Sequence, residues 1–175
     1  MAKYDDLCLA FSRSRSEAIA YRQRSEGFLV CLLEGFEEYL GAPSERVQFL
    51  PPDADASNPG TMYSSLGAVQ LGDDGWWIAC LRLTLSVGPG VFPEAPLLFQ
   101  FRVFAESSRF IVRLGTSHQT HAIPAQFEPD ALIPIYDEAY TLATEYFTHG
   151  IERFLDEAAK STKPRKIGFD VPKTA

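Results

Sequence analysis

The feature that most constrains this chain is a run of three stretches, between Trp77 and Leu114, in which apolar and polar residues alternate. In "WWIACLRLTLSV", Ala79, Leu81, Leu83, Leu85 and Val87 share one parity, while Cys80, Arg82, Thr84 and Ser86 share the other. "LLFQFRVFA" places Leu97, Phe99, Phe101 and Val103 on one side and Gln100 and Arg102 on the other. After the turn residues "ESS", "RFIVRL" repeats the pattern, with Phe110, Val112 and Leu114 opposed to Arg109 and Arg113. Successive strand side chains point to opposite faces, so this pattern predicts antiparallel strands with one buried face. "GDDG" (72–75) has the composition of a hairpin turn before the first of them. Pairing across "AESS" predicts Arg113 beside Gln100 and Arg102 beside Ile111.

Helical periodicity flanks this sheet. From about Ser14 to Leu40, Ile19, Phe28, Leu29, Leu32, Leu33 and Phe36 recur at spacings of three and four, and Gly41 with Pro43 forms a stop. The half before Ser25 is polar and basic and the half after Gly27 apolar and acidic, which predicts a bend near Gly27 or one end projecting beyond the body. A second apolar face runs from Tyr136 to Ala158, with Asp137 and Glu138 expected in its first turn, where carboxylates favour the positive end of the dipole. "RVQFL" (46–50) and "GAVQL" (67–71) add short strands, and "PPDADASNPG" (51–60) reads as a loop. The expected fold is α+β: an antiparallel meander sheet of five or six strands, with N-terminal and C-terminal helices packed on one face. Residues 1–160 are expected to form one domain and 161–175 a basic tail.

Charge narrows the function. The net charge of −7 divides into +1 over residues 1–26, −5 over 27–60, 0 over 61–127, −7 over 128–159 and +4 over 160–175. An acidic body repels a phosphate backbone, which disfavours nucleic acid as a partner. No apolar run approaches the ~20 residues of a membrane span. Three widely spaced cysteines (Cys8, Cys31, Cys80), an odd number without a CxxC, indicate reduced thiols and a cytoplasmic protein.

Candidate chemistry is sparse. His118 and His121 in "TSHQTHAIP" share a face only on a helix, and the flanking Gly115 and Pro124 indicate extended chain, where residues three apart point oppositely. With no third ligand at a usual spacing, neither a metal site nor a cofactor is expected. Cys80 shares parity with Arg82, which can activate a thiol, but no nucleophile signature accompanies it, and Cys31 in its apolar run reads as core. The outward arginines Arg82, Arg102, Arg109 and Arg113, with Gln100, make a cationic face in an acidic molecule, suited to an acidic peptide, a carboxylate or a phosphate. Residues seven apart, Phe11, Ala18, Ser25 and Leu32, outline a seam for homodimerisation through the N-terminal helix. The reading that follows is a small acidic, non-enzymatic protein-interaction or accessory module, of chaperone or adaptor type, with a protein partner. The alternative is a small-ligand binder or enzyme with a pocket between sheet and helices, drawing on Arg82, Arg102, Tyr140, His118 or His121.

Overall fold

The computed structural model describes residues 3–55, 60–88, 94–115 and 117–150. The first helix, α1 (Lys3–Leu40), is continuous over 38 residues, about 57 Å at 1.5 Å per residue. It begins eleven residues before the periodicity predicts and does not break at Gly27, whose exposed position leaves open space for a side chain. It stops at Gly41, which takes φ +58° and donates its N–H to Glu38 O at 3.1 Å, the left-handed ending that only glycine adopts without penalty. Residues 3–20 are exposed throughout, and burial begins at Ser25. One end therefore projects from the body.

The strands are β1 (Val47–Leu50), β2 (Gln70–Leu71), β3 (Trp77–Leu85), β4 (Ala95–Ala105), β5 (Arg109–Leu114) and β6 (His121–Pro124). All pair antiparallel in the order β1-β3-β4-β5-β6, so β3 to β6 form the meander. β1 and β2 lie end to end along the same edge of β3: β1 spans Leu83 to Cys80, and β2 faces Ile78 and Trp77. The β2–β3 turn closes with Gly72 N–H donating to Trp76 O at 2.7 Å and with Gly75 at φ +81°.

Helix α2 (Ile133–Thr148) starts at Ile133, so Asp137 and Glu138 sit in its second turn rather than its first. The part of its predicted face beyond residue 150, and the basic tail, lie outside the described residues. Both helices pack on one face of the sheet. Phe28, Leu29, Leu32, Leu33 and Phe36 of α1, and Leu132, Ile135, Tyr136 and Ala139 at α2, join Ala79, Leu81, Phe101, Val103 and Val112 in one core. Phe36 is wholly buried, edge-on to Phe99 and Phe101 at 4.8 and 5.2 Å. The helices meet closely where Tyr136 O–H donates to Leu32 O at 3.2 Å over Gly35.

Three sequence expectations fail at the margins. Val87 is 88% exposed, because β3 ends at Leu85. Cys31 is exposed rather than core: the helix presents Phe28, Leu29, Leu32 and Leu33 inward and turns position 31 to solvent. Cys80 is outward by parity yet buried, beside its register partner Leu50, so the outer face carries a small apolar patch of its own. Among the described residues no helix is long and apolar enough to cross a membrane.

Candidate binding face

The β4–β5 register sits two residues from the expected one. Arg102 faces Arg113, Phe104 faces Ile111, and Gly115 N–H donates to Gln100 O at 2.7 Å. The turn has the length that "AESS" implies but sits one residue later, with Glu106 N–H donating to Arg109 O at 2.8 Å across Ser107 and Ser108. A shift of two preserves parity, so every side chain keeps its predicted face while its neighbours change.

Two guanidinium groups directly opposite each other repel. The ring of Trp76 offsets that, lying 5.4 Å from the Arg102 guanidinium carbon and 5.0 Å from that of Arg113. An indole face attracts cations by roughly 0.5–2 kcal/mol, depending on how far they are desolvated. Phe104 extends the aromatic shelf at 5.7 Å from Trp76. Asp74 ion-pairs with Arg102 and accepts the Trp76 backbone N–H at 3.2 Å. Its carboxyl is held below the usual carboxylate range, by the Trp76 N–H first, against some desolvation, and by the Arg102 charge. Arg113 has no carboxylate partner among the described residues, and the Nε atoms of both arginines are buried without a hydrogen-bond partner. Trp76, Arg102, Arg113 and Asp74 thus leave one positive charge uncompensated.

The other predicted residues are not gathered there. Arg82 donates to Gln48 Oε1 and Thr84 Oγ1, both at 2.9 Å. Arg109 is ion-paired with Glu106 on the hairpin. Gln100 lies one row below Arg102, facing Cys80. Burial pushes the Cys80 thiol up to about 11, slightly opposed by its hydrogen bond with Gln100, which leaves it protonated and unreactive near neutral pH.

His118 precedes β6 rather than lying on it, and both histidines sit toward α2. His121 Nε2 contacts Glu138 Oε2, and Ser117 Oγ donates to Glu138 Oε1 at 3.3 Å. The carboxylate stands between hydroxyl and imidazole, so the ring cannot take the Ser117 proton, and the trio ties the edge strand to α2. Among the described residues no group of three or more His, Cys, Asp or Glu is placed to hold a metal ion. A cleft of about 460 Å³ opens between the start of β4, the segment after β5 and α2, lined by Leu97, Phe99, Gln100, Ser117, His118 and Tyr146 among others. Of the residues the pocket alternative invokes, His118 alone lines it; Arg82 and Arg102 occupy the opposite face of the sheet.

Trp76, Asp74 and Phe104 were missed by the sequence reading. Their signal was present, because Trp76 extends the outward parity of Ile78, Cys80 and Arg82 by one step. Comparison with known protein families, with curated proteins and with solved structures finds no match to this chain.

Proposed function

We propose that this protein is a non-enzymatic interaction module of adaptor or chaperone type, which docks an acidic segment of a partner protein on Trp76, Arg102 and Arg113. The observation that carries the reading is the indole held against two guanidinium groups, of which only that of Arg102 is paired with a carboxylate, Asp74. A carboxylate accepts paired N–H groups from arginine, and an aromatic shelf favours the apolar or peptide part of the same segment. On a chain of net charge −7, an isolated cationic spot selects for sign and register rather than for bulk charge. The odd, widely spaced cysteines support the cytoplasm as its compartment.

The test is titration with an N-acetylated pentaglutamate peptide, read by tryptophan fluorescence. Trp76 lies at the site, and the buried Trp77 on the helix side serves as the reference. The expected result is saturable binding that weakens as salt rises and is lost in Arg113→Glu. Absence of saturation at low salt, or equal binding by the variant, overturns the reading.

A second reading rests on the cleft. Its volume falls within the roughly 300–1,000 Å³ of small-molecule sites, and Ser117 and His118 give an otherwise largely apolar lining a polar end. Native mass spectrometry tests it: a mass that is lost on denaturation, and absent in Ala143→Trp, supports a bound small molecule, and a bare chain refutes it.

A further inference from the structure

The exposed part of α1 has a pattern that becomes visible once the helix is known to start at Lys3. Tyr4, Leu7, Phe11, Ser14, Ala18, Tyr21, Ser25, Phe28 and Leu32 follow one another at alternate spacings of three and four. That is the repeat of a coiled-coil seam. Its second half, from Ser25, is buried against the chain's own sheet, and Tyr21 bridges the halves at 6.4 Å from Trp77. In its first half Tyr4, Leu7 and Phe11 are 74%, 69% and 68% exposed. Isolated helices draw little stability from propensity alone, and this arm, with Ser12, Ser14, Ser16 and Ile19, is not alanine-rich. A bare arm of about 30 Å therefore requires a partner for its stripe.

We propose that the partner is a second copy of this chain, and that residues 3–22 of the two copies pair as an antiparallel two-helix coiled coil. Three observations select this arrangement. The first is layering: centring the two-fold axis between Ser12 and Arg13 sets Tyr4 on the partner's Tyr21, Leu7 on its Ala18 and Phe11 on its Ser14. Two of the three layers then oppose a large side chain to a small one. The second is charge. Residues 3–12 carry −1 (Lys3 against Asp5 and Asp6), and residues 13–22 carry +2 (Arg13, Arg15 and Arg22 against Glu17). Antiparallel pairing lays the negative half on the positive half, whereas parallel pairing stacks positive on positive.

The third observation is steric. A straight helix drifts about 20° per heptad from a 3.5-residue repeat, so the arm's seam turns only roughly 50° from the sheet-facing seam and stays on its side. A parallel pair would carry both helices together into residues 25–36, where each chain's own sheet occupies the seam. An antiparallel pair puts the two bodies at opposite ends of the paired arms, and each arm runs toward its partner's body but stops opposite residue 22, short of the buried seam. It ends near Arg24, which holds the β4–β5 turn through Ser107 O at 3.2 Å and Glu106 O at 2.7 Å. Tyr4, Leu7 and Phe11, each about 70% exposed, offer roughly 400 Å² per copy, half of the about 800 Å² per partner of stable interfaces, which suits a dimer that dissociates on dilution.

The experiment has two arms. Sedimentation of the full chain should show a mass moving between 19.5 kDa and twice that value with concentration. Phe11→Glu, at a side chain 68% exposed, should weaken dimerisation at least about tenfold with unchanged circular dichroism of the dilute protein. For orientation, a Leu7→Cys chain and an Ala18→Cys chain, each also carrying Cys8→Ser and Cys31→Ser, are mixed and oxidised. The mixed disulfide is expected. Self-linked products of either chain would establish a parallel pair, and a monomer at every concentration, or a tetramer, would equally overturn the proposal.

Discussion

Two glycines of the same helix, eight residues apart, should answer the same substitution with opposite signs. Gly27 is exposed, and a Cβ there meets nothing within 4 Å. Gly27→Ala therefore gains the helix propensity that glycine lacks, about 0.5–1 kcal/mol. A Cβ on Gly35 falls well inside van der Waals contact with Tyr136 Oη and 3.3 Å from its Cζ. Tyr136 cannot swing aside cheaply, because it is buried, its hydroxyl is bonded to Leu32 O, and its ring packs on Phe36 and Tyr39. Overpacking costs about 1–3 kcal/mol and the displaced hydrogen bond about 1, which together exceed the propensity gain and leave Gly35→Ala roughly 1–3 kcal/mol less stable. Urea unfolding monitored by circular dichroism measures both. Thermal midpoints should move about 2–4 °C per kcal/mol for a chain of this size, upward for Gly27→Ala and downward for Gly35→Ala. Removing the obstructing oxygen with Tyr136→Phe should shrink the cost of Gly35→Ala. Equal stabilisation by both alanines would refute the close approach of the two helices, and an unchanged cost in the Tyr136→Phe background would refute the assignment to the hydroxyl.

Leu83→Asp should abolish soluble folding, since it sets an unpaired charge into the helix-facing core; recovery of a cooperatively melting variant would contradict the sheet's buried face. Thiol titration with an aromatic disulfide at neutral pH should label Cys8 rapidly and Cys31 more slowly, partial burial with Glu34 and Glu38 nearby raising the Cys31 pKa. Cys80 should react only in denaturant. The Asp74 carboxyl has its pKa lowered from 3.8, so its contribution to the Trp76 cluster is present above that value and fades as pH falls through the lower folded value. Trp76 emission should change in that acid range and lose the transition in Asp74→Asn, and a transition persisting in that variant would assign it to another group.

Much of the fold was legible because its signals are local. Alternation in β3, β4 and β5 requires only that one face be buried, and each residue's parity follows from the pleat. Gly41 announced the helix stop because a left-handed residue is needed there whatever the tertiary context. The helix start was harder to place: residues 3–13 are exposed throughout, so no dense apolar face marks them. Cys31 was misread because an apolar run such as "FLVCLL" does not itself say which two of its six positions face out. The outward arginines were identified from parity, but their grouping was not. Arg82 and Arg109 are tied to Gln48 and Glu106, while Arg102 and Arg113 share Trp76.

The amino-acid sequence by itself determined the strands, the faces they bury, and the helices flanking the sheet, since periods of 2 and 3.6 residues are properties of the backbone. Tertiary structure alone decided which side chains meet. The two-residue turn at Ser107–Ser108 brought Arg102 opposite Arg113, a displacement of two that leaves parity unchanged. The path of β6 beside α2 placed His121 against Glu138, and the length of the sheet set where along α1 burial begins. Neighbours across strands and helices depend on turn length and packing over long sequence separations, and local periodicity carries no record of either.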